Sequence, residues 1–499
     1  MTDGRRLVRN FLSLSVAQAL GFAFGLGTTV LLARALGPET FGILGFGQAF
    51  VAFAGIAIVL GTDTYGAREI ARDAGRAGPL ISEILGFRFA VAAVAIPGII
   101  AIAAALGVAG QSLAVLSLQA VGLLAAVVTV DFAFQGIQRM EPIGVRQAGA
   151  AGLVYLGALA FVGDPDDVYV AALLPFIAVC VTSLWLMRRF HRTVTPIGVR
   201  FDPTAWRGWL GVVVPIGLGG LSVAVFQQID IVMLGFFVPE DEIGRYVALA
   251  RLYVLVIAVA NLLAAVFAPV LAPLAGASRK ERQEIYTPFV TYLLVLAAPA
   301  GSAFAVFPHD TIVLFFGEEY ASASGVLAIV MASALLFTLT IPTSVALVAW
   351  DDQLYHTKAL GISAVVNIVL NAALIPGYGI LGAAAATLLS VAVLLAAELH
   401  RLARRHGASA FVQTGTAAIL LAVVFGVSYL LRSMTLPPDA PAAVVVAVFG
   451  IGAAVVYVGA AAAIGLVDVR RAARLLKPER LPADVEGRGA AKREDENRT

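Results

Sequence analysis

The sequence predicts an all-α polytopic membrane protein with fourteen transmembrane helices, arranged as two six-helix bundles around a central cavity with two further helices appended. Four observations lead to this prediction. Of the 499 residues, 60% are hydrophobic and 13% are charged, whereas roughly a quarter of the residues in a soluble domain are charged. Apolar runs of about twenty residues, each long enough to cross a bilayer, recur along the chain. Basic residues lie in alternate loops, and a Pro-Glu turn recurs after about two hundred residues.

The predicted spans fall into three groups. Six lie in residues 1–187, six in 209–400 and two in 401–466. The fourteen apolar runs are 10–33, 42–62, 81–106, 113–137, 147–163, 168–187, 209–237, 245–270, 287–308, 322–349, 359–376, 378–400, 411–431 and 441–466. The first run continues past about twenty residues and no small-residue cleavage site ends it, so we expect an uncleaved span rather than a signal peptide.

Two polar segments flank these groups. The segment 188–208 is the most basic loop and contains Trp206, and Trp209 follows it directly, which is typical of an interfacial stretch joining two bundles. The tail 467–499 is rich in Arg, Glu and Asp and poor in aromatic residues. We therefore expect it to form a short interfacial helix followed by a disordered cytoplasmic tail.

Basic residues are concentrated in the loops of one side. They are Arg5, Arg6, Arg9, Arg68, Arg72, Arg76, Arg139, Arg146, Arg188, Arg189, Arg192, Arg200, Arg207, Arg279, Lys280, Arg282, Lys358, Arg401, Arg404 and Arg405. The opposite loops carry mainly acids, namely Asp164, Asp166, Asp167, Glu240, Asp241, Glu242, Asp310, Glu318 and Glu319. By the positive-inside rule, both termini are predicted to lie in the cytoplasm.

The Pro-Glu turns indicate an internal repeat. The stretch TTVLLARALGPETFG (28–42) aligns with IDIVMLGFFVPEDEIG (229–244), with one residue inserted after the glutamate. Each turn is predicted to face outward between the first two helices of its half. Because both halves then have the same orientation, the repeat is parallel, with its axis along the membrane normal. Thr29 aligns with Asp230, so the second copy carries a charge that the first copy lacks.

Asp230 and Arg251 are the first candidates for a functional site, because ionisable residues inside a membrane are costly and usually face a cavity or a partner. They lie at similar distances on either side of the second Pro-Glu turn, which places both roughly 12 Å below the outer end. One interpretation is a buried ion pair that fixes the hairpin. The other places one or both on the central cavity, where Arg251 meets an anionic substrate group. Gln227 shares the helix face of Asp230.

Two further arginines have similar alternatives. Arg88 lies one to two turns inside the third span, so it either snorkels to the headgroups or lines an inward-open cavity. Arg34 ends the first span, as an interfacial anchor or as part of an outer cavity rim.

Amide and carboxyl side chains form two patterns within predicted spans. Asp131, Gln135 and Gln138 have the spacing of a single polar stripe on the fourth span. Such a stripe avoids lipid, and it either touches substrate or joins helices. Asn367 and Asn371 form a similar pair, for which we expect helix–helix hydrogen bonding.

Enzyme motifs are missing from the sequence. It has no GxxxxGK phosphate loop, no HExxH motif and no nucleophile elbow, and its five histidines are scattered. The single cysteine, Cys180, lies in an apolar run and cannot form an intramolecular disulfide. We therefore expect no enzymatic activity, no metal site and no cofactor. Transport could be coupled to a proton or sodium gradient through Asp230 or Asp131, or to the membrane potential.

Four motifs resemble those of a known transporter family. They are LLARALGPETFGILGFGQAF (31–50), FAFQGIQRMEPIGV (132–145), FFGEEYASASGVLAIVMASALLF (315–337) and LIPGYGILGAAAATLLS (374–390). In this order they resemble the polysaccharide-biosynthesis flippases, including O-antigen exporters, of the multidrug/oligosaccharidyl-lipid/polysaccharide exporter (MOP) superfamily. The resemblance implies two six-helix bundles around a cavity, alternating access, and cationic cavity residues, for which Arg251, Arg88 and Arg34 are the candidates.

The resemblance also implies a function. The expected substrate is an oligosaccharide linked through phosphate or pyrophosphate to a polyprenol, moved from the cytoplasmic to the outer leaflet of the cell membrane. Membrane lipids and glycan polymerases or glycosyltransferases of the same pathway are the expected partners, and nucleic acid is not. An ion-coupled drug exporter of the same superfamily is the alternative, although such exporters usually have twelve spans. A glycosyltransferase or polymerase would need sizeable outer loops with catalytic residues, and no predicted outer loop is that long.

Overall fold

The computed structural model describes residues 2–406, 411–437 and 440–465, and every regular element in these ranges is helical. The α-helices are α1 (Thr2–Val59), α2 (Thr62–Arg72), α3 (Ala77–Ala105), α4 (Gly110–Gly122), α5 (Leu124–Val127), α6 (Asp131–Gly136), α7 (Glu141–Phe161), α8 (Val168–Thr193), α9 (Pro203–Leu234), α10 (Glu240–Leu271), α11 (Arg279–Val306), α12 (Pro308–Phe316), α13 (Ser324–Ala349), α14 (Gln353–His406), α15 (Phe411–Thr435), α16 (Ala442–Val445) and α17 (Gly452–Ala463). The predicted tail 467–499 lies outside the described residues.

Helix length and composition agree with a polytopic membrane protein. Within the described ranges, ten helices are long and apolar enough to cross a membrane, and eleven if the bent helix α9 is included. Two of the ten, α1 and α14, each contain two predicted spans. Their segments meet at Gly37 (φ 70°) and Gly379 (φ 52°), where the left-handed backbone conformation favours glycine. The exact number of fourteen spans stays a prediction.

The predicted fourth span is broken. Instead of one helix over 113–137, the chain forms α4, α5 and α6, with non-helical residues between α5 and α6. The regular helical hydrogen bonding is lost at the break, and buried carbonyls need donors. The guanidinium of Arg88 donates from Nη1 to the Thr129 carbonyl at 3.0 Å and to the Ala126 carbonyl at 3.5 Å, and the Ala126 carbonyl also accepts from the Thr129 backbone N–H at 3.4 Å.

The two Pro-Glu turns meet in the structure. A Cβ atom placed on Gly42 would lie 1.9 Å from the carbonyl oxygen of Glu240, and one on Gly244 would lie 1.8 Å from the carbonyl oxygen of Pro38. The contacts are reciprocal, as expected when equivalent segments cross at an axis that relates two halves. The second segment of α1 therefore packs backbone to backbone on the start of α10, and the interface is closed at this end.

An apolar core extends across both halves. Its largest cluster includes Leu36 and Leu44 of α1 together with Ile243 and Leu252 of α10. Helices α15 and α17 pack on α11, and α16 packs on α12. The described parts of the two appended spans therefore contact one edge of the second half.

The basic segment after α8 is extended and lies on the start of α3. The Arg200 backbone N–H donates to the Ser82 carbonyl at 2.9 Å, and Trp206 Nε1 donates to the Glu83 carbonyl at 3.2 Å. Asp202 caps α9 by accepting from the backbone N–H of Ala205 at 3.0 Å. That hydrogen bond is the main reason why the pKa of the Asp202 carboxyl lies below its usual value.

Candidate functional site

A cavity of about 290 Å³ lies between the two halves. Helices α1, α7 and α8 of the first half form most of its wall, and α10 of the second half completes it. The polar side chains on this wall are Thr28, Thr29, Gln48 and Arg251, and the remaining lining is aliphatic, aromatic or glycine. An apolar pocket with a few converging polar groups has the usual character of a ligand site.

Arg251 is the one ionisable residue among the described residues that line this cavity. Its Nη2 donates to Gln48 Oε1 at 2.8 Å, so its hydrogen-bond partner is a neutral amide from the other half. The side chain is accessible because it faces the cavity. A guanidinium has five N–H donors in a planar fork, so most of its donors remain available to an anionic group.

The predicted ion pair between Asp230 and Arg251 is not formed. Asp230 is hydrogen-bonded to Asn371, Tyr246 and Thr387, and Arg251 to Gln48, so that alternative from the sequence is wrong. Gln227 is exposed and makes no hydrogen bond with Asp230 in the described structure.

Asp230 is buried in a polar cluster of the second half. Its Oδ1 accepts from Asn371 Nδ2 at 2.5 Å, and its Oδ2 accepts from the Tyr246 hydroxyl at 3.0 Å and from the Thr387 hydroxyl. These donors are neutral and come from α10 and from both segments of α14. Within the described residues, no cation pairs with this carboxylate, while Asn371 Oδ1 is buried without a hydrogen-bond donor. Asn371 also donates to Asn367 Oδ1 at 3.1 Å within the same segment of α14. Asn367 Nδ2 donates to Ser390 Oγ of the other segment at 3.3 Å, and this bond and that of Asn371 to Asp230 are the helix–helix hydrogen bonding expected for the pair.

Arg88 does not snorkel and does not line the cavity. Its side chain is 1% exposed and pairs with Asp63 Oδ1 at 2.6 Å. It also donates twice to the Thr62 hydroxyl, at 2.8 and 2.6 Å. Together with the carbonyls of the α5–α6 break, these partners occupy the guanidinium, so Arg88 joins α2, α3 and the broken span.

Arg34 is exposed and joins the two halves, and its alternatives as an interfacial anchor or a cavity rim stay predictions. Its Nε donates to the Phe315 carbonyl at 3.0 Å, and its Nη2 donates to the Leu314 carbonyl at 2.6 Å. These carbonyls belong to the last turn of α12, where the helix dipole favours a positive charge. The Tyr320 hydroxyl donates in the opposite direction, to the Ala33 carbonyl at 2.9 Å. The two contacts fasten the halves together at the end where the Pro-Glu turns meet.

The predicted polar stripe on the fourth span is also broken. Asp131 begins α6 and forms a two-point ion pair with Arg146 of α7, with both distances 2.6 Å. Gln135 is exposed, and Gln138 follows the end of α6 with a φ of 57°. The three side chains therefore do not share one helix face, and Asp131 joins α6 to α7.

Several residues of the site are not among the sequence candidates. Gln48 contacts Arg251, and Tyr246 and Thr387 contact Asp230. One available signal is the repeat, because Gln48 follows Gly42 by nearly as many residues as Arg251 follows Gly244. No comparable signal points to Thr387.

Comparisons with known proteins agree with this architecture. The profile of the family described as polysaccharide biosynthesis protein matches residues 7–275, which is more than half of the chain, and the MatE profile matches residues 215–373. The probable low-salt glycan biosynthesis flippase Agl15 of Haloferax volcanii is 28% identical over 180 residues. That alignment covers 36% of this chain and 38% of Agl15.

Two solved structures share the fold. The lipid II flippase MurJ in an inward closed conformation matches with a TM-score of 0.68 at 13% identity, over 89% of this chain and 97% of MurJ. An inward-facing multidrug resistance transporter of the MATE family matches with a TM-score of 0.64 at 16% identity, over 79% of this chain and 98% of that transporter. At these identities the likeness concerns the fold. The chain belongs to the polysaccharide biosynthesis protein family.

Proposed function

We propose that this multi-pass membrane protein moves a polyprenyl-phosphate- or pyrophosphate-linked oligosaccharide from the cytoplasmic to the outer leaflet of the cell membrane. The polar head of such a lipid cannot cross about 30 Å of hydrocarbon unaided, whereas its polyprenol tail remains in lipid. The observation that carries the proposal is a cavity between two halves whose one charged lining residue, Arg251, has a neutral partner.

The cavity chemistry suits the phosphate part of this substrate. A guanidinium donates two parallel hydrogen bonds to a phosphate. The hydroxyls of Thr28 and Thr29 on the same wall donate to the carbonyls of Phe24 and Gly25, so Arg251 is the donor that the cavity offers. A volume of about 290 Å³ has room for the phosphate groups but not for an oligosaccharide as well. In this proposal, the glycan is accommodated when the halves separate at one end during alternating access.

The predicted orientation and organisation are part of the proposal. Both termini lie in the cytoplasm, and the Pro-Glu turns face outward. The first bundle comprises 1–187, the linker 188–208, the second bundle 209–400 and the appended helices 401–466, followed by the cytoplasmic tail 467–499. The described contacts at Gly42 and Gly244 then close the outer end.

Asp230 is our proposed coupling residue. A buried carboxylate without a cation carries a desolvation penalty of several kcal/mol, so binding of a proton or a sodium ion would stabilise it. The unpaired Asn371 Oδ1 beside it supplies a further oxygen for a bound cation. Asp230→Asn keeps the shape but removes the charge. We expect this variant to fold and to lose the dependence of transport on the ion gradient, and retention of that dependence would exclude Asp230 as the coupling residue.

Transport by purified protein in vesicles tests the function. Lipid-linked oligosaccharide is incorporated in the inner leaflet, and its appearance outside is measured with a membrane-impermeant glycan-modifying enzyme, with and without ion gradients or a potential. Arg251→Gln should reduce the rate at least tenfold, and Arg251→Lys should reduce it less. Arg207→Gln, at an exposed arginine of the basic linker, is the matched control. Absence of translocation by the wild type under every gradient would refute the proposal.

Two control assays address the other functions. An ion-coupled drug exporter would restore drug resistance in a host that lacks exporters. A glycosyltransferase or polymerase would transfer sugar in detergent without any membrane. We expect neither activity, because Arg251 repels the cationic compounds that many exporters carry and because we propose a transporter rather than an enzyme.

A further inference from the structure

A second buried acid lies in the second half, apart from Asp230. Glu398, near the end of α14, has a side chain that is 0% exposed. Its Oε2 accepts from the Thr343 hydroxyl at 2.5 Å, and its Oε1 lies 3.0 Å from the Ser344 hydroxyl and 2.7 Å from His356 Nδ1. None of these four residues takes part in the proposed substrate or coupling sites. The cluster lies at the end that carries the basic loops, opposite the Pro-Glu turns.

The charge balance of the cluster depends on one proton. The neighbouring acid, Asp352, is already paired with Arg401 at 2.6 Å. Counting the described side chains, the cluster therefore carries one uncompensated negative charge in a buried place when His356 is neutral and Glu398 is ionised. A single proton removes that charge, either as a His–Glu ion pair or as a protonated carboxyl. Because the His356 side chain is 22% exposed, it provides the route by which this proton arrives.

The other elements packed around the cluster contribute few charges. From α11, Tyr286 interacts electrostatically with Glu398, and the guanidinium of Arg282 lies over the ring of Trp350, 5.1 Å from its centre. From α10, the Leu271 carbonyl accepts from Trp350 Nε1. From α13, only the hydroxyls of the cluster face the acid. These groups leave His356 as the titratable partner in direct contact with Glu398.

The hydroxyl groups have two alternative acceptors. Thr343 Oγ1 and Ser344 Oγ each lie 2.7 Å from the Thr340 carbonyl, in addition to their contacts with Glu398. A hydroxyl has one hydrogen to donate, so each of the two donates either to the Thr340 carbonyl or to the Glu398 carboxylate. An ionised, uncompensated Glu398 is the stronger acceptor. Once it is neutralised by a proton, the hydroxyls are free to donate to Thr340.

The two hydroxyls that change acceptor lie in a turn of α13 that is weakened by a proline. Pro342 lies inside the helix and lacks an N–H, so the helix loses one backbone hydrogen bond at this turn. The carbonyl of Thr340 and the two switching hydroxyls belong to the same turn. Proton binding at the acid therefore changes how the proline-containing turn of α13 is held to α14.

We propose that Glu398 and His356 form a proton-binding site, accessible from the side of the basic loops, whose occupancy sets the hydrogen bonding at the Pro342 turn of α13. The site is separate from the cavity of Arg251 and from Asp230. The inference does not depend on which substrate is transported, and its test needs no transport.

The test compares thermal unfolding of the full-length protein in detergent between about pH 5 and pH 8, the range in which histidine titrates. Glu398→Gln and His356→Gln should each flatten the pH dependence of the unfolding midpoint, and the double variant should flatten it no further, because contacting residues are coupled. His400→Gln is the matched control, since His400 is exposed at the same end. Wild-type pH dependence in both single variants, or additive effects, would overturn the proposal.

A second measurement uses the wild type alone and covers the case in which the variants fold poorly. Hydrogen exchange of residues 338–346 is followed by mass spectrometry across the same pH range and corrected for the intrinsic chemical rate. The proposal predicts that the protection of residues 338–346 changes with pH along a one-proton titration curve. The turn at Pro299 of α11, which also has a proline inside a helix, should keep constant protection. Equal behaviour of the two turns would overturn it.

Discussion

Adding one methyl group at the crossing of the Pro-Glu turns should shift the protein away from the closed arrangement. In Gly244→Ala, the new Cβ would lie 1.8 Å from the Pro38 carbonyl oxygen, and in Gly42→Ala it would lie 1.9 Å from the Glu240 carbonyl oxygen. Real Cβ contacts are never this short, and the obstacle is backbone rather than a side chain that can rotate away. The two segments must therefore separate.

The size of the effect follows from the cost of overpacking. Extra methyl groups in a packed interior typically cost 1–3 kcal/mol, and an immovable backbone contact places this site near about 3 kcal/mol. Since 1.4 kcal/mol corresponds to a factor of ten, the closed arrangement should lose roughly a hundredfold in population relative to an open one. Gly325→Ala is the control, because a Cβ there meets nothing within 4 Å.

Double electron–electron resonance, which measures the distance between two spin labels, would detect the separation of the two crossing segments. Asp166 and Glu318 are exposed positions at the same end of the protein, one in each half, and replacing the single Cys180 leaves them as the labelling sites. Wild type and Gly325→Ala should give one short distance, whereas either glycine variant of the crossing should give a longer one. An unchanged distance in both variants, with wild-type transport, would refute the close crossing of the halves.

Three variants that remove charged side-chain contacts give further predictions. Arg34→Gln should weaken closure of the same end by about 1 kcal/mol, because it replaces charged hydrogen bonds at an exposed site. The same pair of spin labels should then show a minor population at long distance. Absence of this population would contradict a role of Arg34 in holding the halves together. Arg88→Met should lower stability by about 3 kcal/mol or more, because it leaves buried carbonyls without donors; an unfolding midpoint within a degree of wild type would contradict this. Asp131→Asn should cost about 3–5 kcal/mol by leaving Arg146 unpaired, and Asp131→Asn/Arg146→Gln should recover part of the loss, which a double-mutant cycle measures.

The sequence was sufficient for the fold because each of its signals is local. A run of apolar residues specifies a span, and the loop charges specify alternating sides without knowledge of any tertiary contact. The repeat of the Pro-Glu turns also located the segments that meet at Gly42 and Gly244. The break before α6 could not be predicted in this way, because its apolar run is continuous. The break is stabilised by Arg88, a residue of another helix.

The site was harder to predict because sequence spacing gives the depth of a residue along its helix but not the direction in which its side chain points. The rise of a helix gives Asp230 and Arg251 similar depths below the turn. Which way each side chain points depends on the packing of α9 and α10 against helices distant in sequence. Asp230 meets Asn371 and Thr387, both more than a hundred residues away, and Arg251 meets Gln48 in the first half. A matched depth was therefore compatible with an ion pair that does not exist.

The broken symmetry of the repeat places two aligned residues in different surroundings. Thr29 lies on the cavity wall, whereas the aligned Asp230 lies in a closed polar cluster. One helix, α10, reaches both places: Tyr246 donates to Asp230, and Arg251, little more than one turn further along, faces the cavity. In the function we propose, a change in the charge of Asp230 alters its hydrogen bond with Tyr246 and thereby moves α10. In the function we propose, that movement carries the phosphate-binding guanidinium with it, which links the bound ion to the lipid-linked substrate through a single rigid element.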